Sequence, residues 1–219
     1  MGLEDDDADF ERLYGPWDAF DPAGVTELLA DYPGEWWVVG GWAIEAFTGV
    51  PRDHEDIDVV IWRRDLPAFL DLVRGRYHVW SAGAGALRPV DDRFPEPHPD
   101  AGQVWLREHA QAPWVLDCLL GDEVDGLWVS RRDPEWTAPL ADVTWVADDG
   151  IRYMHPEVVL YHKALQARPK DERDRDVAWP LLAPDKQAWL ADAVRRFYGD
   201  EHPWTRWMAE RLAEGTPGR

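Results

Sequence analysis

The chain has 219 residues, room for one large domain or a domain with a helical annex. It carries 43 acidic against 23 basic residues, a net charge of −20, which disfavours nucleic acid and anionic membrane and suits a cationic partner. A single cysteine, Cys118, excludes an intramolecular disulfide and fits a reducing compartment.

Residues 1–12 read as a disordered acidic tail. Glu4, Asp5, Asp6, Asp7 and Asp9 stand where a secretory signal would be basic, and no apolar run is long enough to span a bilayer. The expected location is cytoplasmic. A helix is predicted over 22–32, with Asp21 as N-cap and Pro22 in its first turn. Residues 36–39 read as an apolar strand ended by Gly40 and Gly41, and a helix follows from Trp42 to Phe47. Residues 57–62 form a second strand. Asp65 is placed to cap a helix running to Val73, with Gly75 ending it. A third strand is expected at 77–80, then a Gly-, Pro- and Asp-rich loop or loose hairpin over 81–103. Further strands fit 104–107, 114–119, 126–130, 143–146 and 151–153. From Pro156 the pattern turns helical, at 156–167, 171–182, 185–198 and 204–213, divided by Pro169, Pro184 and Pro203. The fold class expected is α+β: a mixed sheet with helices over 13–153, then a C-terminal helical bundle over 154–219.

The chemistry concentrates in VVGGWAIEAF and RDHEDIDVVIW. Side chains alternate along a strand, so Asp56 and Asp58 are expected on one face about 7 Å apart, able to share hard divalent cations. Gly40 and Gly41 permit close backbone approach to phosphate oxygens, beside the free N–H groups of a helix start. A DxD alone is weak, since solvated edge strands carry it often. Here Val59, Val60 and Ile61 follow at once and run the strand inward. Asp117 lies on the apolar run PWVLDCLL, where a charge is costly unless paired or liganded. A salt bridge to arginine is the structural alternative.

These residues resemble the DNA-polymerase-β-like nucleotidyltransferase superfamily. The pattern Gly40-Gly41-Trp42-Ala43-Ile44, then Arg52, His54 and Asp56-Ile57-Asp58, is most similar to aminoglycoside 2″-adenylyltransferases and their lincosamide-modifying relatives. Val115-Leu116-Asp117-Cys118 resembles the strand bearing their third carboxylate. The clear resemblance covers 36–62 and 114–118. It implies Mg2+, with two ions shared by Asp56, Asp58 and Asp117 as metal ligands and catalytic acids, and ATP or another NTP as substrate. It also implies transfer of a nucleoside monophosphate to a hydroxyl of a small acceptor. Gly40 and Gly41 would donate to phosphates, and Arg52 would stand near the triphosphate.

Trp42 could stack on the base or acceptor. His54 is more often a structural residue in such a place, and Glu45 could pair with Arg52. The run HKALQARPKDERDRD reads first as a solvated helix surface. Its Lys163, Arg168, Lys170, Asp171 and Asp174 also resemble a segment of nucleotidyltransferase toxins in which a lysine, here Lys163, meets the triphosphate and a Lys–Asp pair organises the helical half. The loop acids Asp91, Asp92 and Glu96 could receive amines of a cationic acceptor such as an aminoglycoside. Two other readings stay open: a toxin-type enzyme modifying tRNA or protein, and a non-catalytic nucleotide-binding protein. The acceptor, the preferred NTP and the oligomeric state are not fixed by the sequence.

Overall fold

The computed structural model describes residues 12–83 and 85–214. The acidic tail expected over 1–12 therefore lies, but for Arg12, outside the described residues. Among them the elements run α1 (Pro22–Leu28), β1 (Trp36–Val38), α2 (Gly40–Thr48), β2 (Asp58–Trp62), α3 (Leu66–Val73), β3 (His78–Gly83) and β4 (Ala86–Val90). There follow β5 (Ala101–Arg107), β6 (Leu116–Gly121), β7 (Glu123–Val124), β8 (Leu127–Val129), β9 (Thr137–Ala138), α4 (Leu140–Val143), β10 (Thr144–Val146) and β11 (Arg152–Met154). Four helices close the chain: α5 (Pro156–Lys163), α6 (Pro169–Ala178), α7 (Pro184–Tyr198) and α8 (Pro203–Glu214). No helix among the described residues is long and apolar enough to cross a membrane.

Eight of the described strands form one mixed sheet in the order β10-β11-β1-β2-β6-β5-β3-β4, and β7-β8-β9 make a small second sheet. The pairs β1–β11 and β2–β6 are parallel and the others antiparallel. This is the α+β arrangement expected, with the helical bundle following the sheet. One face of the sheet presents Val59, Ile61, Cys118 and Leu120, all buried. Tyr32 and Phe69 meet edge-to-face at 6.2 Å, and Tyr32 stands near Cys118, so the turn after α1 and helix α3 cover this face. The opposite face carries Asp58, Val60, Asp117 and Leu119 and is covered only in part. Helix α2 packs on β11, α5 and α6, which ties the sheet to the bundle through a continuous apolar core.

Local chemistry explains where the elements start. Asp21 Oδ1 accepts from the Gly24 N–H at 2.8 Å and caps α1. Pro156, Pro169, Pro184 and Pro203 do not merely divide the last helices; each is the first residue of one. Proline lacks an N–H that would be unpaired at that place anyway. Helix α5 stops at Lys163, short of the predicted 167, because Ala167 turns left-handed (φ 46°) and Arg168 precedes a proline.

Two other expectations are corrected and one is narrowed. Asp65 makes no side-chain cap; it ends a short 3-10 turn, Arg63–Asp65, that tightens the entry to α3. For 81–103 the hairpin alternative holds and the loop alternative does not, since β3 pairs antiparallel with β4 from Val79–Val90 to Gly83–Ala86, and β5 begins at Ala101. Strand β2 begins at Asp58, so Asp56 lies just before the strand rather than on it. The cause is a lack of partners: β1 ends at Val38 and β6 starts at Leu116.

Candidate active site

Asp58 and Asp117 are opposed in register on the neighbouring parallel strands β2 and β6. Register partners share a face, so both carboxylates project to the partly open side of the sheet. Asp117 is only 7% exposed. Its Oδ2 accepts from Gln103 Nε2 at 2.9 Å, while its Oδ1 is sealed from solvent without a hydrogen-bond partner. Burial and the neighbouring Asp56 push the Asp58 carboxyl up to about 7, against the pull of Lys163, Lys170 and Arg131. Burial first, then Asp58 and Asp56, push Asp117 well above the usual carboxylate range. Like charges held together and out of water disfavour ionisation unless a cation joins them.

Gly40 is where the chain leaves β1 for α2. Its φ is +67°, a region that favours glycine, and a Cβ there would collide with Asp58 Oδ2. The residue thus lets the helix start approach the carboxylate. Gly41 has a different task. A Cβ at that position would run into the guanidinium of Arg52, so Gly41 is the seat on which Arg52 lies. Arg52 in turn pairs with Asp174 at 3.3 Å and donates to the Asp53 carbonyl.

A cleft of about 540 Å3 opens over these acids. Its floor holds Gly40, Asp56, Asp58 and Gln103; its far wall is Arg131, Arg132, His162, Lys163 and Arg168. Arg131 reaches from the β8–β9 loop across Gly102, where a Cβ would strike its guanidinium. His162 stays neutral: burial, then Arg132 and Arg131, lower it to about 3. Lys163 bridges Asp171 at 3.0 Å and Asp174 at 2.9 Å. Arg168 adds a contact to Asp171 at 2.9 Å, and Asp171 Oδ2 also accepts from the Arg168 backbone N–H, capping α6. Arg52, Lys163 and Arg168 therefore surround two carboxylates, leaving cation in excess beside the cleft.

The structure thus brings Asp56, Asp58, Gly40 and Lys163 to one cleft, with Asp117 just behind Gln103. Gly41, Trp42 and Arg52 do not line it. Trp42 stacks on His54, with ring centroids 3.7 Å apart and planes 9° from parallel, and its indole N–H donates to the Asp56 carbonyl at 3.2 Å. Glu45 Oε2 contacts His54 Nε2 at 2.8 Å and accepts from the Arg52 backbone N–H, not from the guanidinium. These residues brace the segment before β2. Asp91, Asp92 and Glu96 are exposed and do not line the cleft. Arg131, Arg132 and Gln103 escaped the sequence reading. Their loops and strands gave no motif, and only the sheet register puts Gln103 two residues from the position facing Asp117.

Paired carboxylates on adjacent strands of a mixed sheet, a glycine-led helix start and a cation-walled cleft make a site chemically suited to phosphate groups. Residues 23–90, which include Gly40, Asp56 and Asp58 but not Asp117 or Lys163, match the family model of aminoglycoside-2″-adenylyltransferase. Among solved structures, the chain is similar to the solution structure of the antibiotic-resistance factor ANT(2″)-Ia, at 19% identity. That match covers 88% of this chain and 94% of the other, with a TM-score of 0.48. The lincosamide antibiotic adenylyltransferase LnuA with bound lincomycin is 18% identical over 71% of this chain and 92% of its own, TM-score 0.48. ANT(2″)-Ia in complex with adenylyl-2″-tobramycin is 17% identical over 88% and 94%, TM-score 0.40. A comparison with curated proteins finds no match.

Proposed function

We propose that this protein transfers a nucleoside monophosphate, AMP from ATP, to a hydroxyl of a small cationic acceptor such as an aminoglycoside. The observation that carries the reading is Asp58 on the floor of a cleft walled by cations, with its register partner Asp117 held behind Gln103. A volume near 540 Å3 suits a nucleotide rather than a nucleic-acid strand.

Mg2+ fits the donors. The acids are hard oxygen ligands, one of their oxygens is buried without a partner, and their mutual repulsion calls for a cation. Among the described residues no group of three or more such side chains closes round a cation unaided. Phosphate oxygens of the nucleotide would complete the set, as is usual for magnesium sites. Asp56, Asp58 and Asp117 would hold the metal, with enough oxygens for two ions to share. When bound, it supplies neutralisation of phosphate charge and a more acidic acceptor hydroxyl.

The chain's own groups account for the rest. The acceptor oxygen bonds to the α-phosphorus, the bond to the β-phosphate oxygen breaks, and pyrophosphate leaves. Asp117, oriented by Gln103, takes the hydroxyl proton. The free N–H groups at the start of α2 and the cations Lys163, Arg168, Arg131 and Arg132 receive phosphate oxygens. In this division, the sheet region 13–153 carries the acids, the α2 N–H groups, Arg131 and Arg132, and the region 154–219 supplies Lys163 and Arg168. The net charge of −20 draws a polycation and repels a free polyanion.

The test is direct. The protein is incubated with Mg2+, α-labelled ATP and a panel of aminoglycosides, with bulk tRNA in parallel. Labelled amine product and pyrophosphate are expected. Label in tRNA with every amine unmodified would replace this acceptor with the toxin-type one.

A further inference from the structure

A second cavity, of about 380 Å3, shares no lining residue with the catalytic cleft. It is built from Trp136, Tyr161, Trp189 and Phe197, with Asp133 and Glu135 at its rim. The rings stand around Tyr161. Trp136 lies 5.7 Å from it at 84°, Trp189 6.2 Å at 63°, and Phe197 5.8 Å at 76°. Phe197 is 43% exposed.

The acids are held in place but not neutralised. Ser130 Oγ accepts from the Arg132 and Asp133 N–H groups, and Ser130 N–H donates to the Trp136 carbonyl at 3.0 Å, so the loop is rigid. Asp133 Oδ1 accepts only from the Glu135 N–H, at 3.2 Å. Neither Asp133 nor Glu135 forms an ion pair among the described residues. The cation that also lines the cavity, Arg196, contacts Asp192, one helical turn back, at 2.8 Å and shares it with Arg195.

We propose that this cavity is a binding site for a primary ammonium carried on a compact apolar frame. Aromatic faces attract a cation through their quadrupole and cover its hydrocarbon part. The two carboxylates accept the ammonium N–H groups, and the −20 chain concentrates amines near its surface. The site is separate from the catalytic acids and does not rest on the nucleotidyl-transfer reading. It adjoins the cleft through one loop: Arg131 and Arg132 face the cleft, and Asp133, Glu135 and Trp136 face the cavity.

Calorimetric titration with cyclohexylammonium, set against its neutral isostere cyclohexanol, tests this without metal or nucleotide. The amine is expected to bind with one site, and the alcohol roughly tenfold more weakly or not at all. Glu135→Gln should weaken the amine about threefold and raised salt should weaken it further, as screening requires. Trp189→Leu should weaken it by about tenfold or more. Because Trp189 also packs on the core, Phe197→Ala at the exposed rim provides a second variant that leaves the interior intact. Asp58→Asn should leave amine binding unchanged. Equal binding of alcohol and amine, indifference to both Glu135→Gln and Phe197→Ala, or loss of binding on Asp58→Asn would each overturn the proposal; the last would move the amine to the catalytic cleft.

Discussion

The two walls of the cleft handle charge in opposite ways. On the sheet side, Asp58 and Asp117 face each other with Gln103 as the hydrogen-bonding neighbour of Asp117, and burial pushes both carboxyls up. On the helix side, Lys163, Arg168 and Arg52 hold Asp171 and Asp174 in a closed network, and Asp171 is pulled below the usual range despite its burial. Both regions bury aspartates. One leaves them in want of a cation and the other supplies cations from the chain. Removing an acid should therefore abolish chemistry on the first wall and cost stability on the second.

The largest effect is expected at the sheet. Asp58→Asn should lower nucleotidyl transfer by roughly a thousandfold or more, the scale of losing a charge that acts directly on the reacting groups. The apo protein should melt at the same temperature or higher, since a like-charge contact is relieved. Labelled AMP transfer and a thermal melt read the two quantities on one sample. An active variant, or one that melts far lower, would mean that Asp58 is a structural acid after all.

Asp174→Ala should show the reverse pattern. Asp174 is buried and contacts both Lys163 and Arg52, at 2.9 and 3.3 Å. Removing one member of a buried ion pair costs about 3–5 kcal/mol, because the partner charge is left uncompensated. Urea denaturation at neutral pH measures it. Lys163→Met separates the roles further: it should destabilise through the same network and also raise the KM for ATP if the lysine meets phosphate.

Asp58 and Asp117 were legible because their apolar flanks run each strand inward, whereas alternation misplaced Asp56, which lies before β2. Asp117 on an otherwise apolar run is the clearest case: a charge there needs a reason that lies outside the strand. The helix-side network was legible only through a resemblance, which implies a Lys–Asp pair there. Its spacing reads as a solvated surface, and only the left-handed turn at Ala167 and the packing of α2 on α6 fold it under Arg52. The two glycines show the same limit. One sequence pair serves two purposes, Gly40 making way for Asp58 and Gly41 for Arg52, because the second depends on a contact eleven residues ahead.

The pH dependence of apo stability should also separate the walls. Asp58 titrates at about 7 in the fold and near the ordinary 3.8 unfolded, so the native state holds more protons between these values. Its contribution is full at low pH and is lost as pH rises from about 4 to 7. His162 has the opposite sign. Its folded value of about 3 lies below the ordinary 6.5, so its contribution is present above 6.5 and is lost as pH falls toward 3. Subtracting the stability profile of Asp58→Asn from that of the parent cancels His162 and should leave a curve falling across pH 4–7. Added Mg2+ should flatten it. A flat difference without metal would place Asp58 in solvent.

The smallest effect concerns the brace beneath the acids. Trp42 does not line the cleft; it stacks on His54 and donates its indole N–H to the Asp56 carbonyl. Trp42→Phe keeps a ring for the stack and deletes the hydrogen bond. A net loss of about 1 kcal/mol is expected, the usual worth of such a bond. Base selection should not move, because the indole is a support for the segment before β2 rather than a platform for the nucleotide. The relevant comparison is kcat/KM for ATP against GTP in parent and variant. An equal, modest fall for both nucleotides fits a small displacement of Asp56 passed on to Asp58. A fall confined to one nucleotide would return Trp42 to the base pocket and make its stacking on His54 a resting arrangement that the nucleotide replaces.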